Sequence, residues 1–218
     1  MVDICPTITA SNSDDYQQYI ERVTPFAARI HIDLADGTIT ENILINPDLI
    51  WWPGGVRADI HVMYQQPMEH LPIFISLKPQ LIIIQAESDG NFSWLAEALH
   101  KNGIEVGVAL LAETPPNILF NSLEIIDHVL IFSGDLGHYG GQANLSLLEK
   151  VRSLKAIKPQ LEVSWDGGVN DTNALTLAKG GIDVLNVGDY LQHSPSAEVA
   201  YARLEKTVNR GRGIINDN

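Results

Sequence analysis

Eight short apolar runs recur along this chain, and most are separated by a segment of helical composition. The runs are Asp3–Ile8, 28–34, 58–63, 80–84, 105–111, His128–Phe132, 161–165 and Val184–Val187. Helical segments include Ser13–Val23, 67–77, 92–102, 145–158 and 171–179. Ser13 before Asp14 and Asp15, and Asn170 and Asp171 before Thr172, have the chemistry of helix starts. Gly103 and Gly180 stand where helices should stop. Such alternation predicts a parallel sheet covered by helices. Eight units in 218 residues suit a (β/α)8 barrel. An open doubly wound sheet is the competing arrangement, but it normally carries a glycine-rich turn after its first strand. This chain reads Thr7-Ile8-Thr9-Ala10-Ser11 there. The prediction is one domain over residues 1–210 and a flexible tail over 211–218.

Composition narrows the function classes. Lys plus Arg is 14 and Asp plus Glu is 27, a formal charge of −13. A chain this acidic lacks the basic face that general nucleic-acid binding or an anionic membrane requires, so neither partner is expected. A small phosphorylated ligand remains compatible, because one amide-lined pocket suffices. The single cysteine, Cys5, excludes an intrachain disulfide and points to a reducing cytoplasm. No apolar run approaches membrane-spanning length, and Met1-Val2-Asp3-Ile4 lacks the pattern of a signal peptide.

Three of the strands alternate apolar and polar residues. Ile30, Ile32 and Leu34 oppose Arg29, His31, Asp33 and Ala35; Ile60 and Val62 oppose Asp59, His61 and Met63; Leu161, Val163 and Trp165 oppose Glu162, Ser164 and Asp166. An antiparallel sheet with one wet face would give the same pattern. In a barrel the apolar faces meet the helices, so the His and Asp side chains point inward. Buried carboxylates need a partner. His31, Asp33, His61 and Asp166 lie near strand ends, where barrels build their sites. Two imidazoles and two carboxylates suit one divalent ion: Zn2+, Fe2+, Mn2+ or Co2+. Glycine turns follow strands six, seven and eight: Gly137 to Gln142, Asp166-Gly167-Gly168-Val169 and Gly188-Asp189. In barrels the loops after strands seven and eight often hold phosphate on backbone N–H groups.

These residues resemble the ribulose-phosphate 3-epimerase family. The resemblance runs from Ile4 to about Leu191 and is carried by Cys5-Pro6-Thr7-Ile8, His31-Ile32-Asp33-Leu34-Ala35-Asp36-Gly37, His61-Val62-Met63, Gly140-Gly141-Gln142 and Asp166-Gly167-Gly168-Val169-Asn170. It implies a single TIM barrel of the ribulose-phosphate binding type. It implies a metal held by His31, Asp33, His61 and Asp166, with Asp33 and Asp166 as the catalytic acid/base pair. It implies C3 inversion of D-ribulose 5-phosphate to D-xylulose 5-phosphate through an enediolate. The substrate would meet Thr7, His61, Met63, Tyr139, Gly140, Gly141, Gly167, Gly168, Gly188 and Asp189. A homo-oligomer and a role in the pentose phosphate pathway follow from the resemblance alone.

The chain departs from the family pattern in places. Thr7 stands where Ser is usual, and Ala35 where Met is usual, which would open one pocket wall. A second family Met falls near Phe132, and the loop from Asp135 to Gly141 is one residue longer. Gly188-Asp189 replaces a Gly-Ser pair that helps hold phosphate. An ionised Asp189 would repel a phosphate dianion unless it turns away, and a protonated His138 could compensate. These departures leave two alternatives: an epimerase of another ketose, either a ketohexose 6-phosphate or a sugar without phosphate, and a non-catalytic binding barrel.

Overall fold

The computed structural model describes residues 1–134, 136, 138 and 140–209. Tyr139 and the proposed 211–218 tail lie outside the described residues. Eight parallel strands close into one barrel in sequential order: β1 (Asp3–Ile8), β2 (Arg29–Ala35), β3 (Arg57–Met63), β4 (Leu81–Gln85), β5 (Glu105–Leu110), β6 (His128–Phe132), β7 (Glu162–Asp166) and β8 (Val184–Val187). β1 pairs with β8 to seal the ring. This excludes both the open sheet and the antiparallel sheet.

The helices are α1 (Ser13–Val23), α2 (Leu71–Leu77), α3 (Phe92–Lys101), α4 (Leu148–Ile157), α5 (Ala174–Lys179), α6 (Asp189–Gln192) and α7 (Ala197–Asn209). α1 shows why they form. Asn12 caps it by accepting from the Asp15 N–H at 2.9 Å, Asp14 and Asp15 favour its N-terminus, and Tyr16, Ile20 and Val23 recur on one buried face. The alternation is less regular than the sequence suggests. After β2 and β5 the chain makes only short 3-10 turns, at Pro47–Leu49 and at Pro116–Leu119 with Leu123–Ile125. No described helix is long and apolar enough to cross a membrane.

Alternation within each strand divides the core in two. Ile30, Ile32, Leu34, Ile60, Val62, Ile82 and Ile84 face outward under the helices. Leu81, Ile83, Ala109, Leu130 and Phe132 fill one side of the barrel interior. The other side of the interior is polar, and that asymmetry positions the site.

Candidate active site

The polar interior is built in two layers. The lower layer sits at the strand starts and carries its own cation. Arg29 Nε donates to Asp59 at 2.7 Å, and its two terminal nitrogens donate to Glu162 at 3.0 and 2.8 Å. His128, buried, bridges Glu162 at 2.8 Å and Ser164 at 2.7 Å. Burial would raise the Glu162 carboxyl, but His128 and Arg29 outweigh it and hold it well below the usual range.

The upper layer, at the strand ends, has carboxylates but no Lys or Arg among the described residues. His31 and Asp33 of β2, His61 of β3 and Asp166 of β7 each offer a ligand atom, and these atoms all lie within 4.8 Å of one another. The registers pair Asp33 with His61 across β2 and β3, and Phe132 with Asp166 across β6 and β7. His31 Nε2 is 3.3 Å from Asp33 Oδ1 and 3.5 Å from Asp166 Oδ2. His61 Nδ1 is 3.1 Å from Asp33 Oδ1.

The electrostatics of this layer are asymmetric. Burial, reinforced by the Asp33 charge, raises the Asp166 carboxyl to about 7. Burial would raise Asp33 too, but the neighbouring His31 and His61 imidazoles hold it well below the carboxylate range. Burial lowers His61; for His31 the neighbouring Asp33, Asp166 and Asp59 overcome burial and raise it.

Two observations test whether a divalent cation fits here. His31 Nε2 is buried without a hydrogen-bond partner, aimed at the carboxylates. The donor set, two imidazole nitrogens and two carboxylate oxygens, is the kind that binds borderline divalent ions. The lower layer answers buried Asp59 and half-buried Glu162 with Arg29, whereas among the described residues the upper cluster has only imidazoles beside its carboxylates. The residues fit.

Above the cluster opens a cavity of about 280 Å³ lined by Thr7, Thr9, Asp33, Met63, Phe132 and Asp166 on one side and by the glycine loops on the other. Gly140, Gly141, Gly167, Gly168, Gly188 and Asp189 all line it. Gly167 (φ 104°) and Gly168 (φ 69°) adopt backbone that favours glycine. A Cβ on Gly167 would overlap the Ser133 carbonyl oxygen, so glycine lets the β6 and β7 loops meet. Exposed His138 reaches the mouth of the cavity.

His61 is fully buried, meets Asp33 Oδ1 at 3.1 Å and does not line the cavity. One expectation needs correction: Ala35 does not open a wall, because it packs with Leu44, Met63 and Leu136. Cys5 is a buried core residue, and His70 packs beside Tyr64. His100 pairs with Asp127 and His193 with Asp189, both at the surface.

Sequence reasoning missed three residues. Thr9 Oγ1 donates to Asp33 Oδ2 at 2.6 Å. Gln85 meets His61 Nε2 at 2.9 Å, and Asn186 meets His31 Nδ1 at 3.3 Å. The available signal was that Gln85 and Asn186 are each the lone polar residue of an apolar strand, LIIIQ and VLNV.

Comparison with known proteins agrees with this geometry. Relatives named ribulose-phosphate 3-epimerase include one from Helicobacter pylori strain J99, 29% identical over 93% of this chain and 96% of its own length. Another, from Bacillus subtilis strain 168, is 27% identical over 98% of this chain and 99% of its own. Among solved structures, 3-hexulose-6-phosphate synthase from Salmonella typhimurium superposes with a TM-score of 0.70 at 11% identity, covering 96% of this chain and 99% of that one. At that identity it speaks for the fold alone. The model of the ribulose-phosphate 3 epimerase family matches residues 3–192, and the chain belongs to that family.

Proposed function

We propose that this protein is a metal-assisted ketose 3-epimerase that interconverts D-ribulose 5-phosphate and D-xylulose 5-phosphate. The observation that carries this reading is the Asp33–Asp166 pair. The two carboxylates meet at one imidazole nitrogen, line one cavity, and have proton affinities driven in opposite directions.

Inverting a carbon beside a ketone removes its proton from one face and returns a proton to the other. A lone base hands the proton back to the face it came from, so two groups are needed. Asp33 and Asp166, on different strands and both lining the cavity, would be the pair: one accepts the C3 proton and the other delivers a proton to the opposite face. In the reverse direction the roles exchange. Thr9, hydrogen-bonded to Asp33 Oδ2, orients that carboxylate. The Thr7 hydroxyl, buried in the cavity wall without a protein partner, is placed to bond a substrate oxygen. Met63 and Phe132 supply an apolar wall beside the reacting carbons. His31, Asp33, His61 and Asp166 would hold the divalent ion, which supplies Lewis-acid charge to offset the negative charge developing on the substrate. The reading includes a cytoplasmic setting, supported by the lone, buried Cys5, and a homo-oligomer, supported by exposed Ile43, Leu49 and Trp51.

One observation favours a second reading, in which the ketose differs in its far end. The Asp189 carboxylate lines the cavity, lies about 3.9 Å from where a Cβ on Gly140 would stand, and pairs with His193 at 2.8 Å. It therefore borders the glycine loops expected to receive phosphate. The test is incubation of the metal-loaded protein with D-ribulose 5-phosphate, a ketohexose 6-phosphate and unphosphorylated ribulose in parallel. Formation of D-xylulose 5-phosphate, lost in Asp166→Asn, supports the first reading; turnover of another ketose alone supports the second; turnover of none contradicts both.

A further inference from the structure

A buried amide stands behind each imidazole of the cluster. Gln85 Nε2 lies 2.9 Å from His61 Nε2, and Asn186 Nδ2 lies 3.3 Å from His31 Nδ1. The inner nitrogens of the same rings, His61 Nδ1 and His31 Nε2, face Asp33 Oδ1 at 3.1 and 3.3 Å. The far ends of the two amides, Gln85 Oε1 and Asn186 Oδ1, are buried without a hydrogen-bond partner.

A neutral imidazole has one N–H and one lone pair. While an amide NH2 donates to the outer ring nitrogen, the ring proton sits on the inner nitrogen and points at Asp33. That tautomer satisfies the carboxylate but offers nothing to a cation. An amide carries its oxygen and its NH2 on the same footprint, so a half-turn of its terminal torsion exchanges them. Because the far end of each amide is unpartnered, the half-turn breaks no other hydrogen bond. The amide oxygen then accepts the outer N–H, and the inner lone pair faces the carboxylates.

We propose that Gln85 and Asn186 are positioning residues that fix the tautomers of His61 and His31. Each accepts the outer ring N–H, so that His61 Nδ1 and His31 Nε2 present lone pairs to a divalent cation. The proposal rests on reading the four-residue cluster as a metal site. An apolar replacement leaves the outer N–H buried without an acceptor, and the ring favours turning its proton inward. A carboxylate in the same place can only accept, and so it keeps the ligand tautomer.

The test is Zn2+ affinity, measured against a competing chromophoric chelator with no sugar present, so that any contact between Asn186 and substrate does not enter. Gln85→Leu and Asn186→Leu are expected to weaken Zn2+ binding by about 10- to 100-fold, whereas Gln85→Glu and Asn186→Asp bind within a few-fold of the parent or tighter. Thermal melts of the metal-free variants establish that they fold. 15N NMR of the zinc-loaded parent needs no variant and is expected to place the ring protons on His61 Nε2 and His31 Nδ1. Leu variants that fold and bind Zn2+ like the parent, acidic variants as weak as the Leu ones, or ring protons on the inner nitrogens would each overturn the assignment. A parent protein that binds no Zn2+ would refute the metal site itself, and the tautomer role with it.

Discussion

Asp33 and Asp166 reach the same atom, His31 Nε2, at 3.3 and 3.5 Å, and the protein holds their carboxyls at opposite ends of the proton-affinity scale. They stand on two strands that the barrel brings together, and the proposed inversion of a carbon needs a group on each of its faces. Replacing either removes one half of a two-sided proton transfer. Asp33→Asn and Asp166→Asn are each expected to lower kcat by about 10²- to 10⁴-fold, read in a coupled assay of the epimer formed. Equal rates in parent and variant would remove that residue from the mechanism.

The raised carboxyl of Asp166 also makes a stability prediction for the metal-free protein. Its affinity rises from the ordinary 3.8 to about 7 on folding. Its favourable contribution is therefore complete below about pH 4 and is lost as pH rises through 7. In chelator, Asp166→Asn is expected to be more stable than the parent at pH 8, by a few kcal/mol. The difference disappears below pH 4, and urea unfolding across that range checks it. Asp33 runs the other way: its contribution is present at neutral pH and lost on acidification below the carboxylate range. Added metal draws Asp166 back toward the ionised form and reverses the advantage of the Asn variant.

Asp189 lines the cavity beside the glycine loops that the proposed reading assigns to phosphate. A carboxylate a few ångströms from a phosphate dianion costs about 1–4 kcal/mol at partly screened sites. Asp189→Ser is accordingly expected to lower KM for D-ribulose 5-phosphate by about tenfold or more, with little change in kcat. Steady-state kinetics on the two proteins decides it, and an unchanged KM means that Asp189 turns out of the phosphate's way toward His193.

The lower layer makes a separate prediction about folding. Arg29 is the cation shared by buried Asp59 and by Glu162. Arg29→Met strands the Asp59 charge and is expected to cost about 3–5 kcal/mol of stability, measured by denaturant unfolding. A loss below 1 kcal/mol would mean that the layer rearranges or protonates without penalty.

Much of this was legible in the sequence because period-two alternation inside period-eight topology leaves few places for a side chain to go. His31, Asp33, His61 and Asp166 could be placed at one rim from parity and strand ends alone, and β1 and α1 match their sequence boundaries. Sequence parity also put Arg29, Asp59 and Glu162 inside, yet gave no sign that they form a second layer with its own cation, because the pairing of Arg29 with Glu162 spans 133 residues. Gln85 and Asn186 were missed for a related reason. A single polar residue in an apolar strand says that something must answer it, but only the closed barrel shows that the answer is an imidazole on a neighbouring strand. The Ala35 wall was misjudged because Leu44 and Leu136 come from loops whose path no periodicity records.

The most direct measurement of the central claim is solvent deuterium at C3. Metal-loaded protein is incubated with D-ribulose 5-phosphate in D2O, and product and recovered substrate are followed by NMR and mass spectrometry. The two-carboxylate account predicts D-xylulose 5-phosphate carrying one deuteron at C3, with incorporation abolished in the Asp33→Asn, Asp166→Asn double variant. Product formed without deuterium at C3, or deuterium entering equally well with both carboxylates removed, would contradict it.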